Sequence, residues 1–266
     1  MSTSVFDIFK IGIGPSSSHT VGPMKAACKF AQGLAADGLL LQVKRIQIDL
    51  YGSLGATGRG HGSDRAILLG LEGEAPASVN TDLVEGYLHR VRETGSVWLL
   101  RQTAVPFDEK TDLNFHWQPL PFHPNGMVFT AYDGLGAMLR ERTYYSVGGG
   151  FVVDERAACL DRWQLHQSPV PYPVTTAAGW LKLCQQQGCS ISDLMLQNEQ
   201  VWRSEEDIRA ELIRLWRGVK DCGSRGCHTG GILPGGLQVK PCAAELYRHL
   251  AEGLEFSIAD QCTNID

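Results

Sequence analysis

Two histidines lie in short stretches that are rich in hydroxyl side chains or glycine, and each stretch leads into a predicted helix. His19 follows three serines and precedes Thr20, whereas His61 lies in a glycine-rich loop over residues 52–64. Free backbone N–H groups at the start of a helix favour an anion, and histidine exchanges protons near neutral pH. If the two loops face each other, they supply acid and base for proton transfer on a small anionic substrate. The simpler alternative is that one hydroxyl caps a helix and that the glycines only form a tight turn.

The glycine loop matches neither of two common phosphate-binding signatures. Gly55 and Gly60 have the spacing of a P-loop, but His61 stands where that loop needs a lysine. Gly58 and Gly60 begin a GxGxxG pattern, but Ser63 occupies the place of the third glycine. The glycines therefore predict only that the backbone can approach a ligand closely.

The cysteines suggest a second kind of chemistry. Eight cysteines in 266 residues are too dilute for a secreted disulfide scaffold, so we expect most of them to be reduced. Two pairs share a separation of five residues: Cys184 with Cys189, and Cys222 with Cys227. Side chains at that separation point about 140° apart on a continuous helix, so chelation requires the helix to end at Gly188, Gly223 or Gly226. A metal-binding interaction module built on these four cysteines is one alternative function.

Strands and helices must position these loops, and the sequence predicts several of them. Apolar residues alternate with polar ones over 46–50, which indicates a half-buried strand. Helices are predicted to begin near residues 20–23 and to run over 65–71, the second capped by Ser63 or Asp64. Further along, HPNGM is a turn signal, and YYSVGGGFVVDE predicts two short strands joined by three glycines.

The second part of the chain has a helical pattern. A proline-rich passage at 168–174 marks a boundary, and residues from about 177 onward predict helices broken by glycine and proline. Ser190 with Asp193, and Ser204 with Asp207, have the spacing of capping boxes. The second of these starts a helix over 205–221 with an apolar stripe that we expect to face a core; the stripe consists of Ile208, Leu212, Leu215 and Val219.

Composition narrows the class of protein. Lys and Arg number 24 against 29 Asp and Glu, which gives a net charge of -5 and a pI of about 5.9. That balance gives no reason to expect a nucleic acid as partner. No apolar run approaches the roughly 18 to 20 residues that span a bilayer, and no secretory leader is evident. We therefore expect a globular, cytoplasmic protein with no membrane partner.

The motifs are together specific enough to indicate a family. The stretch SVFDIFKIGIGPSSSHTVGPMKAACKF, the loop GATGRGHGSDRAILLGL, the turn HPNGM and the run YYSVGGGFVVDE closely resemble the bacterial iron–sulfur L-serine dehydratases, or L-serine ammonia-lyases. The resemblance continues through YPVTTAAGWLKLC, ISDLMLQNE and GILPGGLQVK, and it covers residues from 1 to about 248. It implies a lyase of serine catabolism and gluconeogenesis that converts L-serine to pyruvate and ammonia by β-elimination, without pyridoxal phosphate.

The resemblance also implies a fold. It predicts an α/β domain over 1–158, the serine dehydratase β domain, which is similar to an allosteric substrate-binding domain. The beginning of a mostly helical α domain follows over 159–266, with a tail from about 254 that matches nothing in the family. We expect the chain to be truncated within that α domain.

The same resemblance assigns roles to residues. His19 and His61 are implied to be the catalytic pair, and which of them removes the α-proton is left open. Six further residues are implied to contact or frame L-serine: Ser16, Ser17, Ser18, Thr20, Ser63 and Asn125. In the family a four-iron four-sulfur cluster binds the departing hydroxyl. Its cysteines are expected outside this chain, so no metal ligand is assigned, and we expect the chain alone not to hold the cluster and to have little or no turnover.

Two expectations concern partners. Without the rest of the α domain, the helical segment over 177–250 is expected to expose apolar surface and to associate, as a homo-oligomer such as a dimer. The rival function is a regulatory module, similar to the allosteric domain of some phosphoglycerate dehydrogenases, that binds serine or a hydroxy acid without chemistry.

Overall fold

The computed structural model describes residues 4–155, 168–232 and 239–251 of the chain. The chain divides into two compact units, Met1–Ile208 and Arg209–Asp266. The helices are α1 Val5–Ile8, α2 Gly22–Ala36, α3 Ser53–Thr57, α4 Ser63–Leu71, α5 Val84–Thr94, α6 Ala177–Gln187, α7 Ile191–Glu199, α8 Glu205–His228 and α9 Ala243–Ala251. The strands are β1 Arg45–Tyr51, β2 Ser96–Leu99, β3 Thr103–Pro106, β4 Leu113–His116, β5 Gly126–Tyr132, β6 Met138–Gly148 and β7 Phe151–Asp154.

A five-stranded mixed sheet organises the first unit, in the order β4-β1-β5-β6-β7. Strands β1 and β4 are parallel, and the remaining neighbours in this sheet are antiparallel. Strands β2 and β3 form a separate antiparallel pair. The predicted α/β class of this region is confirmed. Across the described ranges, no helix combines the length and the apolar character that a bilayer crossing requires.

The predicted strand over 46–50 is confirmed as β1, and its apolar side chains enter the main core. Ile46, Ile48 and Leu50 are fully buried in one cluster with residues of α2, α4 and β5. Within that cluster the rings of Phe30 and Phe129 lie 5.4 Å apart. This alternation is what a strand with one face against helices requires. The core therefore fixes the sheet beneath the two histidine-bearing loops.

The predicted start of the first helix is confirmed, and the predicted cap of the second is not. Helix α2 begins at Gly22, but a π-helical turn over Ser17–Val21 precedes it, and the Ser16 hydroxyl caps that turn. Helix α4 begins at Ser63, and its cap position is Gly62 in the left-handed conformation with φ +67°. The predicted cap at Ser63 or Asp64 is therefore wrong. The Ser63 hydroxyl does not cap its own helix, because it donates to the carbonyl oxygen of His19.

The glycine hairpin is confirmed with one change of boundary. Strands β6 and β7 pair on either side of three consecutive glycines. Gly148, Gly149 and Gly150 have φ of +97°, +57° and +71°, values that favour glycine over other residues. Strand β6 begins at Met138, six residues before the predicted strand.

The helical region confirms the capping signals and corrects the core stripe. Ser190 and Asp193 form a complete capping box, and the Ser204 hydroxyl accepts from the Asp207 N–H at 3.1 Å. Helix α8 continues past the predicted end, to His228. Of its apolar stripe only Ile208 is buried, whereas Val219 is 59% exposed. The expectation that the stripe faces a core is therefore wrong beyond Ile208 in the described residues.

The glycines near the cysteine pairs behave differently. Gly188 ends α6, as the sequence allowed, but Gly223 and Gly226 lie inside α8 and do not end it. The domain boundary at 158 and the tail from about 254 lie outside the described residues and stay predictions.

Candidate active site

The two histidine-bearing loops meet at the edge of the sheet where β1, β4 and β6 end and β5 begins. The loop after β1 is anchored to its neighbours by backbone hydrogen bonds. Gly52 N–H donates to the His116 carbonyl oxygen at 2.9 Å, and Ser53 N–H donates to that of Pro124 at 2.9 Å. Gly52 has φ +59°, and a Cβ atom there would lie 2.4 Å from the Pro124 oxygen. Only glycine therefore lets the chain turn so close to the 123–126 loop.

His19 and His61 lie next to each other in this arrangement. Their ring centroids are 5.0 Å apart, with an angle of 43° between the ring planes. The loops thus face each other, which is the condition that the sequence set for an acid–base pair. Both rings are partly exposed, so a small molecule can reach them.

Two buried hydroxyls hold the loops together reciprocally. The Thr20 hydroxyl donates to the His61 carbonyl oxygen at 2.8 Å, and the Ser63 hydroxyl donates to the His19 carbonyl oxygen. Thr20 is 3% exposed and Ser63 is fully buried. Each hydroxyl therefore fixes the backbone of the other loop's histidine, and we call these two bonds the reciprocal clasp.

The ring of His19 is held at both nitrogens. Nδ1 lies 2.9 Å from the Ser18 hydroxyl oxygen, and Nε2 lies 3.0 Å from the Ser53 hydroxyl oxygen. Burial lowers the pKa of His19, the electrostatic interaction with the neighbouring His61 lowers it further, and a hydrogen bond with the Ser53 backbone opposes both. The structure therefore favours a neutral His19 ring. Sequence reasoning missed Ser53, although its position directly after the strand and Gly52 was a usable signal.

The ring of His61 is held at one nitrogen only. Nδ1 lies 2.9 Å from the Thr57 carbonyl oxygen. Because a carbonyl oxygen only accepts, Nδ1 carries the proton, and Nε2 of the neutral ring keeps a lone pair. Within the described residues, Nε2 makes no hydrogen bond. This nitrogen is therefore open to a hydrogen bond from a ligand.

The serine turn presents its remaining hydroxyls at the start of the helix. Ser16 Oγ accepts from the His19 N–H at 3.2 Å and lies 3.4 Å from Ser18 Oγ. Ser17 is exposed, whereas Ser16 and Ser18 are half-buried. The positive end of the 17–36 helical run points at this cluster, which suits a carboxylate.

Asn125 lies on the turn whose Pro124 carbonyl receives the Ser53 N–H. Its side-chain amide donates to the Ser146 carbonyl oxygen at 3.1 Å, and Ser146 N–H donates back to its carbonyl oxygen at 3.0 Å. Its Oδ1 atom and the Ser146 hydroxyl are both buried without a hydrogen-bond partner in the described part of the chain. In the described residues Asn125 makes no hydrogen bond to His19 or His61, so it lies on the neighbouring turn and does not hold either ring. Ser146 had no sequence signal beyond its place before the three glycines.

A separate cavity of about 680 Å³ adjoins the glycine loop. Arg59 and Asp64, which flank His61 in sequence, line it, but neither histidine does. Burial raises the pKa of Asp64, and its Oδ1 atom has no hydrogen-bond partner in the described residues. The histidine pair therefore does not line this cavity.

The described residues do not fit an iron–sulfur cluster. Over residues 4–155, 168–232 and 239–251, no three His, Cys, Asp or Glu side chains are grouped so as to hold a metal ion. Cys222 and Cys227 lie on one continuous helix, where a separation of five residues turns side chains about 140° apart. Cys159 and Cys262 lie outside the described residues.

Comparison with known proteins places the chain in a family. The sequence model described as "Serine dehydratase beta chain" matches residues 4–157. The L-serine dehydratase of Streptomyces coelicolor is 48% identical over 251 residues, which are 94% of this chain and 55% of that protein. That of Haemophilus influenzae is 44% identical over 255 residues, or 96% of this chain and 56% of that protein. L-serine dehydratase 1 of Escherichia coli is 42% identical, with the same two shares. The chain spans about half the length of these curated relatives, and it belongs to the serine dehydratase β chain family.

Proposed function

We propose that this chain supplies the acid–base part of an L-serine dehydratase, which converts L-serine to pyruvate and ammonia by β-elimination. The observation that carries the proposal is the His19–His61 pair, with ring centroids 5.0 Å apart at a hydroxyl-rich helix start. The matched relatives are named L-serine dehydratases. The alternative of a binding module without chemistry is kept as an outcome of the experiment below.

Substrate binding is assigned to the serine turn. The carboxylate of L-serine would lie against the hydroxyls of Ser16, Ser17 and Ser18 and the positive end of the helix, because both stabilise a negative charge. Asn125 would contact the substrate from the neighbouring turn. Thr20 and Ser63 frame the site through the reciprocal clasp, since each donates its hydroxyl hydrogen to a backbone carbonyl.

Removal of the α-proton is assigned to Nε2 of His61. Its Nδ1 hydrogen is committed to the Thr57 carbonyl oxygen, which leaves Nε2 as the acceptor. His19 would stay neutral and orient the substrate, because hydroxyls hold both of its nitrogens and burial lowers its pKa.

Departure of the hydroxyl group needs a second contribution, because hydroxide is a poor leaving group. The family resemblance gives that task to an iron–sulfur cluster, and the described residues contain no ligand set for one. No step through a cluster is derived for this chain. We propose instead that the chain alone turns L-serine over slowly or not at all.

We also propose a location and an assembly. The free cysteines of the described residues support a cytoplasmic location, because a reducing compartment keeps thiols unpaired. Apolar side chains exposed on α8 support self-association as a dimer, since Ile213, Trp216 and Val219 are 51%, 48% and 59% exposed.

The test combines binding with complementation. L-Serine is titrated into the purified chain while the histidine ring signals are followed by NMR, and pyruvate is then measured after adding the part of the Streptomyces coelicolor relative that this chain does not match. Expected are perturbed His19 and His61 signals, no pyruvate from the chain alone, and pyruvate from the mixture. Binding without pyruvate would favour the binding module. If the experiment detects no binding and no pyruvate, both functions are refuted.

A further inference from the structure

Cys184 and Cys189 lie on either side of the glycine that ends helix α6. Gly188 adopts the left-handed conformation with φ +63°, and its N–H donates to the Cys184 carbonyl oxygen. The Cys189 N–H donates to the same oxygen at 3.2 Å. This six-residue backbone bond is the mark of a Schellman turn, which frequently places the side chains at the two ends of the bond in contact. The turn therefore gives the two cysteine side chains a route to each other that a continuous helix would not.

The electrostatics of the turn agree with this arrangement. Burial raises the pKa of the Cys189 thiol, and the neighbouring charges of Cys184 and Asp193 raise it further. Both cysteines are free and only partly buried, so a small reagent can reach them. Neither is used by the proposed reaction.

The chain contains its own control for this arrangement. Cys222 and Cys227 have the same separation of five residues, and two glycines lie between them. Both are inside the continuous helix α8, where side chains at this separation point about 140° apart. Spacing alone is therefore the same in both pairs, and only the helix end differs.

We propose that Cys184 and Cys189 form a reversible intramolecular disulfide by exchange with a small-molecule disulfide. One cysteine thiolate attacks a sulfur of the reagent, which forms a mixed disulfide and releases one reagent thiol. The other cysteine, after losing its proton to solvent, attacks the protein sulfur of that mixed disulfide and releases the second thiol. The protein loses two protons and two electrons, and the reagent disulfide is reduced to two thiols.

The bond would lock the corner between α6 and α7. Cys189 directly precedes Ser190, the capping residue of α7. A covalent link across this corner restricts the unfolded chain and the fraying of the end of α6. Because ring closure needs a thiolate, its rate should increase about tenfold per pH unit while both thiols are mostly protonated.

Mass spectrometry tests the proposal on the full chain. The protein is incubated with oxidised glutathione, remaining thiols are blocked with N-ethylmaleimide, and trypsin is added. Cleavage after Lys182 and Arg203 leaves both cysteines of the turn in one peptide, 183–203, whereas cleavage after Arg225 separates Cys222 from Cys227. We expect the 183–203 peptide to carry no blocking group and to be two hydrogens lighter than its reduced form. Dithiothreitol should restore the reduced mass.

The controls define the opposite result. Cys189→Ser should give a peptide with glutathione on Cys184 and no internal bond, and circular dichroism checks that this variant is folded. Cys222 and Cys227 should carry the blocking group or glutathione and should not link their two peptides. A wild-type 183–203 peptide that carries two blocking groups, or glutathione on both cysteines, overturns the proposal. So does equal ring closure in the two cysteine pairs.

Discussion

The two histidines lie in similar loops, but their rings are held differently. His19 is bonded at both nitrogens by the hydroxyls of Ser18 and Ser53, and burial lowers its pKa. His61 is bonded only at Nδ1, by a backbone carbonyl that fixes the tautomer. The same residue type at two helix starts therefore has two different hydrogen-bonding environments. This difference supports the proposed division of roles, in which His19 orients the substrate and His61 accepts the proton.

The difference originates in what surrounds each loop. The serine turn provides side-chain hydroxyls, which both donate and accept and so leave the tautomer of His19 open. In the glycine loop the partner of the His61 ring is the Thr57 carbonyl oxygen, and a carbonyl accepts only.

The largest effect on activity should come from removing Nε2 of His61. His61→Ala should lower pyruvate formation in the complemented assay by about 10²- to 10⁴-fold, the usual contribution of a general base. L-Serine binding should fall much less. His89→Ala is the matched control, since that histidine lies on α5 with its side chain 72% exposed. Equal losses in the two variants would contradict a special role for His61.

The next effect should come from the turn that carries Ser53. Gly52→Ala should destabilise the fold by about 1–3 kcal/mol, because φ +59° with ψ -120° is a conformation that alanine rarely adopts, and further through the contact of the new Cβ with the Pro124 oxygen. Gly95→Ala should be milder, because Gly95 combines the same φ of +59° with ψ 31° in the αL region and has nothing within 4 Å of its Cβ position. Urea denaturation measures both. A Gly52 variant as stable as the Gly95 variant would show that the loop yields easily.

The reciprocal clasp should contribute a smaller, measurable stability. Thr20→Val keeps the shape but leaves the His61 carbonyl oxygen without its donor, which should cost about 1–3 kcal/mol. Thr94→Val is the control, since its hydroxyl donates to Arg90 on the exposed surface of α5, and it should change stability by less than about 0.5 kcal/mol. Both values come from the same denaturation experiment. If Thr20→Val is as mild as its control, the clasp does not hold the loops.

The smallest effect concerns the titration of His19. Its pKa should lie below the ordinary value of 6.5, and His61→Ala should raise it only partly, because burial is the larger cause and remains. The lowered pKa also affects stability. As the pH falls below about 6.5, His19 becomes protonated in the unfolded chain while it is still neutral in the folded chain. The free energy of unfolding therefore decreases until the pH passes below the pKa of His19 in the folded protein. NMR titration gives the pKa, and a His19 pKa at or above 6.5 would contradict the assignment.

A second comparison, between the cysteine pairs, shows how far a motif can be interpreted alone. The separation of five residues and the intervening glycines occur in both pairs. Gly188 ends a helix because it adopts the left-handed conformation at its end, whereas Gly223 and Gly226 continue theirs. Glycine permits a helix end without requiring one, so the surrounding helix decides.

Local signals were enough to predict several elements. The alternation over 46–50, the capping box at Ser190 and the three glycines after Val147 each depend on neighbouring residues only, and each is confirmed. The cap of α4 was not predictable in this way. Ser63 is a good capping residue by type, but its hydroxyl donates to His19, which is 44 residues away.

The sequence by itself determined the chemical character of the site: two histidines, a hydroxyl-rich helix start and a glycine loop after a strand. Residue types and short spacings carry that information, because proton exchange, capping and tight turning are properties of the residues and their neighbours. Only the tertiary structure decided that the rings lie 5.0 Å apart, that Ser53 holds His19, and that Thr20 and Ser63 join the loops. These contacts link residues 34 to 44 positions apart, and packing of the sheet and helices brings them together.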